Sequence, residues 1–326
     1  MENKSSTELI TLGTAAGPAI RGRENGMASA VVVDNQFYMV DFGLGCVRSA
    51  HEAGLRGKDF KAGFITHLHS DHVAEFPAFL MWNWGAPVEG FAHPISIHGP
   101  GQDANHPLGT KLSGTRGLVD HTLEAFSYDL NIRVTDEARP VMSDLINPVE
   151  IALPQTSATE PFLVYEDDHV KVTAVLVDHP PVHPAFGFRF DTADGSITFS
   201  GDTAESAALA KLAYDTDILV HEAVNLEFFA SRGFEAAFLN HQQQSHTTPE
   251  GAGRVATASG AKRLILSHLA GVATPAEWAA GAASTYAGPI DVATSGQRFS
   301  LVADTTYATI KSEASGLRKT IRAPNS

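Results

Sequence analysis

Positions 64 to 72 read FITHLHSDH, and His67, His69, Asp71 and His72 set four potential metal ligands within six residues. Imidazoles crowded this closely gain little unless a cation holds them neutral and convergent. Along an extended turn, alternate spacing points His67 and His69 to one side, while Asp71 and His72 can turn toward a second centre. The competing reading has the same residues cap a helix starting near Val73, with Asp71 as its N-cap carboxylate. Fifteen histidines stand beside one cysteine, Cys46, so a metal site here draws on imidazole and carboxylate rather than thiolate.

Such a cluster needs ligands from distant parts of the chain, and several apolar runs supply them at equivalent ends. Val170 to Val177 leads into Asp178 and His179, Ser196 to Ser200 into Gly201 and Asp202, and Arg263 to Ser267 into His268. Similar runs lie at Ser29 to Val33, Phe37 to Asp41, Gly63 to Thr66, Ile95 to His98 and Ile218 to Val220. Fully apolar runs of about five residues suit strands covered on both faces. Helices are predicted at Val73 to Trp82, Ala204 to Tyr214 and Pro249 to Ser259, the last with Thr248 as N-cap and Pro249 at its first position. This alternation predicts α/β layers with the ligands gathered at the carboxyl edge of the strands. Residues from about Gly101 to Glu160 are less periodic and predict an insertion with one helix near Leu118 to Leu130, of the kind that shapes a pocket or a subunit interface. A single domain is expected over residues 1–310. The remaining 311–326, with Lys311, Arg318, Lys319 and Arg322, is expected to be a solvated tail.

The 326 residues are 43% hydrophobic and 18% charged, the composition of a globular protein and not of a disordered one. Against 37 Asp and Glu, 23 Lys and Arg leave a net charge of −14, which disfavours a nucleic-acid partner. One cysteine permits no internal disulfide, and no apolar run approaches the roughly 18 residues of a membrane span. The opening MENKSSTELITLGT lacks the pattern of a signal peptide, so a cytoplasmic protein is expected.

His67-Leu-His69-Ser-Asp71-His72 resembles the HxHxDH signature of the metallo-β-lactamase superfamily, in a likeness running from Leu9 to about Phe299. The resemblance implies a four-layer αββα sandwich with a dinuclear metal site at one edge. The metal is usually zinc, although manganese or iron can use the same ligands. It further implies one metal on His67, His69 and His179, a second on Asp71, His72 and His268, and Asp202 of SGDTA bridging them. His183, between two prolines, is the alternative to His179. A two-metal site of this family turns a bridging water into a hydroxide-like nucleophile and polarises an ester oxygen, with Asp71 orienting that water.

Three segments resemble one branch, that of ribonuclease Z and its arylsulfatase-like relatives. They are the Gly-Thr loop LGTAAGPAIRGRENGMAS from Leu12, the stretch HPPVHPAFGFRF from His179, which has Phe188 where the branch has Tyr, and SHTTPEGAGRVA. The resemblance makes His246 of the last segment the general acid that protonates the leaving group. Ribonuclease Z carries a long tRNA-binding arm between the ligand His and the bridging Asp, whereas His179 and Asp202 are 23 positions apart. The expected function is therefore a dinuclear metal-dependent hydrolase of a small phosphodiester, aryl sulfate or related ester. The alternatives are a ribonuclease Z-type tRNA 3′-processing endonuclease, a lactonase, and a non-hydrolytic metal-binding scaffold holding iron. The branch also implies a homodimer.

Other residues carry less. His221 and Glu222, at a strand end, suit holding His246 or a ligand imidazole in orientation, or core packing; Asp178 suits the same role or a turn cap. Trp82, Trp84 and Phe91 suit a pocket wall or the core. Arg21 and Arg189 suit anion anchors or surface ion pairs. His51, His93, His98, His106, His121, His169 and His241 are expected to be structural or solvated. The turn Gly99 to Gly101 lacks the lysine and helix of a phosphate loop.

Overall fold

A computed structural model describes residues 7–103, 106–154 and 159–301. The tail expected at 311–326 lies outside the described residues. The strands are β1 (Thr7–Gly13), β2 (Ala28–Val33), β3 (Gln36–Val40), β4 (Phe60–Phe64), β5 (Ile95–Pro100), β6 (Ile146–Ile151), β7 (Phe162–Glu166), β8 (Lys171–Leu176), β9 (Phe186–Thr192), β10 (Gly195–Phe199), β11 (Ile218–Val224), β12 (Leu264–Ala270), β13 (Ile290–Val292) and β14 (Gln297–Ser300). They form two seven-stranded sheets, ordered β14-β1-β2-β3-β4-β5-β6 and β13-β12-β11-β10-β9-β8-β7. The helices are α1 (Cys46–Glu52), α2 (Ser70–Val73), α3 (Phe76–Trp82), α4 (Thr115–Ala125), α5 (Ser127–Asp136), α6 (Ala207–Leu212), α7 (Leu226–Ser231), α8 (Ala236–Ser245), α9 (Pro249–Ser259) and α10 (Pro275–Ala283).

Three apolar clusters make four layers of these elements. Between the sheets, Leu9, Val31, Tyr38 and Phe64 of the first meet Phe186, Phe188, Phe190 and Ile265 of the second. Phe64 is central, with ring centroids 5.6 Å from Phe188 and 5.1 Å from Phe190. The outer face of the first sheet packs Phe37, Met39 and Ile97 against Cys46, Phe76 and Phe79 of α1 and α3. That of the second packs Leu219, Leu264 and Leu266 against Leu209, Val255 and Trp278 of α6, α9 and α10. Covering on both faces is why the strands are continuously apolar, and the result is the expected αββα sandwich.

The segment expected as an insertion differs in detail. It holds two helices, α4 and α5, joined at Phe126, and it also supplies β6, which pairs parallel with β5 from Ile95↔Ile146 to Pro100↔Ile151. Pro148 within β6 hides the strand in the sequence. It is tolerated because β6 is the last strand of its sheet, where a missing N–H costs no ladder bond on the open side. The helix expected over Val73 to Trp82 is likewise two pieces, α3 starting afresh with Pro77 in its first turn. Helix α9 has the expected bounds, and the Thr248 side chain accepts from Gly251 N at 3.3 Å. Among the described residues no helix is long and apolar enough to cross a membrane.

Candidate metal centre

The HxHxDH segment leaves the end of β4, and a buried carboxylate at the end of β3 fixes its course. Asp41, in the left-handed region at φ 63°, accepts from Thr66 N at 2.8 Å, from Thr66 Oγ1 at 2.9 Å, and meets His72 Nδ1 at 2.8 Å. Two residues on, a Cβ at Gly43 would stand 2.4 Å from the carbonyl oxygen of Asp71, so only glycine lets these backbones approach. Helix α2 begins at Ser70, and its N-cap, His69, makes no side-chain capping bond. The capping alternative is thereby removed.

His67, His69, His179 and Asp202 form one group whose ligand atoms all lie within 4.8 Å of one another, and Asp71, His72 and His268 form a second. In the first, His69 Nδ1 is 3.0 Å from His67 Nε2 and 3.3 Å from His179 Nε2. In the second, His268 Nε2 is 3.3 Å from both His72 Nε2 and Asp71 Oδ2. Asp202 lies between them. Its Oδ2 is 3.7 Å from His67 Nε2 and 3.9 Å from His179 Nε2, while its Oδ1 is 3.4 Å from His72 Nε2 and 3.3 Å from His268 Nδ1.

Each residue is aimed by what its other atoms touch. His67 Nδ1 is 3.1 Å from Thr66 Oγ1, His179 Nδ1 is 2.9 Å from the carbonyl oxygen of Ser245, and His72 Nδ1 is held by Asp41, so all three turn Nε2 to the cluster. His268 is the extra residue of a β-bulge, since Glu222 pairs with Ser267 but Ala223 with Leu269. Its φ of 44° is strained for a non-glycine residue, and the bulge swings its ring off the strand toward Asp71 and Asp202.

This donor set fits divalent cations. Asp202 Oδ1 and His268 Nδ1 are buried without a hydrogen-bond partner among the described residues, a costly state unless something else satisfies them. Burial holds His67 well below the ordinary imidazole range and His179 down to about 4, the neutral forms that ligate. Burial alone would raise Asp202, but the charges of His268 and His72 carry it well below the usual carboxylate range. His72 shows the converse: burial would lower it, yet Asp202 and Asp41 lift it well above, so the carboxylates demand positive charge here.

Beside the cluster, His246 Nδ1 lies 3.0 and 2.9 Å from the two carboxylate oxygens of buried Glu222, which also accepts from Thr203 N at 2.6 Å. Burial would lower His246, but the charge and hydrogen bond of Glu222 raise it to about 9. Its ring is 4.9 Å from that of His179 and 6.1 Å from that of His268. Of the pair expected to hold His246, Glu222 does so; His221 is buried with Nδ1 2.9 Å from the carbonyl oxygen of Glu222. His183 stands apart from the cluster, half-exposed and 3.2 Å from Asp103. Trp84 and Phe91 are core, Trp82 is 65% exposed, and Arg189 bonds Asp191 and the carbonyls of Leu212 and Tyr214. Asp178 is exposed, its N–H donating to Thr203 Oγ1 at 3.1 Å and its carbonyl accepting from Ala204 N at 2.7 Å. His241, read from sequence as structural or solvated, lines the cleft above the cluster with Arg21, His69 and His246. Asp41 was legible by the same strand-end rule as the ligands, whereas nothing in the spacing marks His241.

The model of the metallo-beta-lactamase superfamily matches residues 21–104, and that of the beta-lactamase superfamily domain matches residues 118–269. The chain belongs to the metallo-β-lactamase superfamily. Within it the likeness is to the ribonuclease Z branch. Ribonuclease Z of Mycolicibacterium gilvum (strain PYR-GCK) is 28% identical over 288 residues, 87% of this chain and 93% of that protein. Among solved structures, the metallo-beta-lactamase fold protein YhfI from Bacillus subtilis matches with a TM-score of 0.64 at 16% identity, over 90% of this chain and 99% of that one. The short form of human tRNase Z matches with a TM-score of 0.62 at 19% identity, over the same shares. The superfamily is one of metal-dependent hydrolases, and the His/Asp cluster is suited to divalent cations.

Proposed function

We propose that this hydrolase cuts a phosphodiester bond, in a small ester. The observation that carries the reading is the Glu222–His246 pair: His246 lines the same cleft as Asp71, Asp202 and His268, and buried Glu222 holds its Nδ1 at 2.9 Å from behind. A phosphodiester with an alkoxide leaving group needs a proton delivered to it, which a lactone or an aryl ester with a good leaving group needs far less. With Nδ1 of His246 donating to Glu222, the proton for the leaving oxygen comes from Nε2. His67, His69 and His179 would hold one divalent ion, Asp71, His72 and His268 a second, and Asp202 both. Two ions so held acidify water and polarise an ester oxygen. Asp71, whose Oδ2 also accepts from Gly17 N at 2.7 Å, would orient the attacking water.

The second reading is pre-tRNA cleavage, favoured by the name of the M. gilvum relative. A net charge of −14 weighs against it, as does the β9–β10 hairpin, which fills most of the interval between His179 and Asp202. Association as a homodimer through the 101–160 segment belongs to the same proposal: α5 buries none of its residues and leaves Tyr128 82% exposed.

The deciding experiment offers metal-loaded protein a bis-aryl phosphodiester, an aryl sulfate, a lactone and a pre-tRNA, before and after chelation. Chelator-sensitive turnover of the phosphodiester is expected. Preference for pre-tRNA would select the second reading, and turnover of the lactone alone would overturn both.

A further inference from the structure

The cleft over the metal cluster encloses about 590 Å³, the size of a small-ligand site. One part of its wall is aromatic: Phe228 and Phe229 of α7, Phe234 of the connection, and Phe238 of α8. The rings of Phe234 and Phe238 stack at 4.9 Å and 27°, and Phe229 meets them edge-on at 5.3 and 5.2 Å. Phe229 is buried beneath, whereas Phe234 is 43% exposed and leaves ring surface open to the cleft.

Another part of the wall is cationic. The Arg21 guanidinium donates to two backbone carbonyls, Ala16 at 3.1 Å and Gly271 at 2.9 Å, and among the described residues no carboxylate lies within ion-pair distance of it. These neutral acceptors hold the side chain in place without cancelling its charge. Arg21 and the aromatic wall meet at Gly271, where a Cβ would lie 3.3 Å from Phe228 Cδ1. The loop carrying Arg21 is tied to the metal cluster through the bond from Gly17 N to Asp71.

We infer that the cleft selects a phosphate ester bearing a planar aromatic ring, the ring stacking on Phe234 and Phe238 and Arg21 taking an anionic oxygen. This deepens the phosphodiester reading and rests on it. The test is calorimetric titration of the metal-loaded protein with phenyl phosphate and with methyl phosphate, so that no turnover is needed. Phenyl phosphate should bind about tenfold tighter or more, the usual size of ring stacking. Combining Phe234→Ala with Phe238→Ala should abolish that preference and leave methyl phosphate binding unchanged. Arg21→Gln keeps an amide donor where Nε meets the Ala16 carbonyl and removes the charge, and should weaken both ligands about tenfold. Equal affinities in the parent protein, or a preference that survives the double substitution, would overturn the aromatic assignment. Unchanged affinities in Arg21→Gln would overturn that of the anion. A phenyl preference in a protein that cleaves no phosphodiester would support the cleft assignment while sinking the phosphodiester reading.

Discussion

His72 Nδ1 and Asp41 Oδ2 lie 2.8 Å apart, with both side chains almost wholly buried. The same carboxylate holds the backbone and hydroxyl of Thr66, so one residue at the end of β3 sets both the start of the HxHxDH turn and the direction in which His72 presents Nε2. Asp41→Asn keeps the size but replaces one acceptor oxygen by a donor. Metal affinity is expected to fall about 10- to 100-fold with the fold retained. Competition with a chelator of known affinity, alongside circular dichroism, measures both; an affinity equal to that of the parent protein would remove Asp41 from the site.

The hydrogen bonds of the Glu222 carboxylate go to His246 Nδ1 and Thr203 N, and in the proposed reaction it acts through His246. Glu222→Gln is therefore expected to leave metal content unchanged and to slow cleavage of poor leaving groups by roughly 100-fold or more, with little effect on 4-nitrophenolate esters. A series of phosphodiesters graded by leaving-group basicity reads this as a steeper dependence. A uniform loss across the series would mean that Glu222 serves packing rather than proton delivery.

What the sequence makes legible is what local chemistry dictates. The apolar runs mark strands because covering on both faces forces continuous hydrophobicity, and His179, Asp202 and His268 stand out because they follow such runs. Residues placed by long-range pairing stay hidden. Strand β6 is obscured by Pro148, which only its edge position permits, and the bulge that turns His268 inward depends on its register against β11. Phe234, Phe238 and His241 belong to a weakly amphipathic stretch, and only the packing of α7 and α8 over the cluster makes them a wall.

Metal removal should be felt in stability as well as activity. Buried Asp202 Oδ1 and His268 Nδ1 have no hydrogen-bond partner among the described residues, so bound ions would stabilise the folded state against the unfolded one. At a free-ion concentration a thousandfold above Kd, the linkage contributes about 4 kcal/mol. Elemental analysis is expected to return about two ions per chain, and chelation to lower the melting temperature, with recovery on adding zinc. A melting temperature indifferent to chelation would argue that no ion binds these residues tightly.

His98 supplies a pH dependence away from the cluster. Its side chain is 5% exposed, stacked on Phe64 at 5.2 Å, with Nε2 bonded to Ser96 Oγ at 2.9 Å and Nδ1 without a partner among the described residues. Burial pushes it down to about 4, against about 6.5 in the unfolded chain. Above the unfolded value both states are neutral and nothing is lost. As pH falls below it, the unfolded chain takes up a proton that the folded one refuses, and stability drops until the folded value is reached. Between pH 7 and pH 5 this group should cost about 2 kcal/mol. His98→Phe keeps a ring between Phe64 and Tyr165 but cannot titrate, so its stability in urea should fall less over the same interval, by that amount. Identical pH slopes for the two proteins would show that His98 is protonated as readily folded as unfolded.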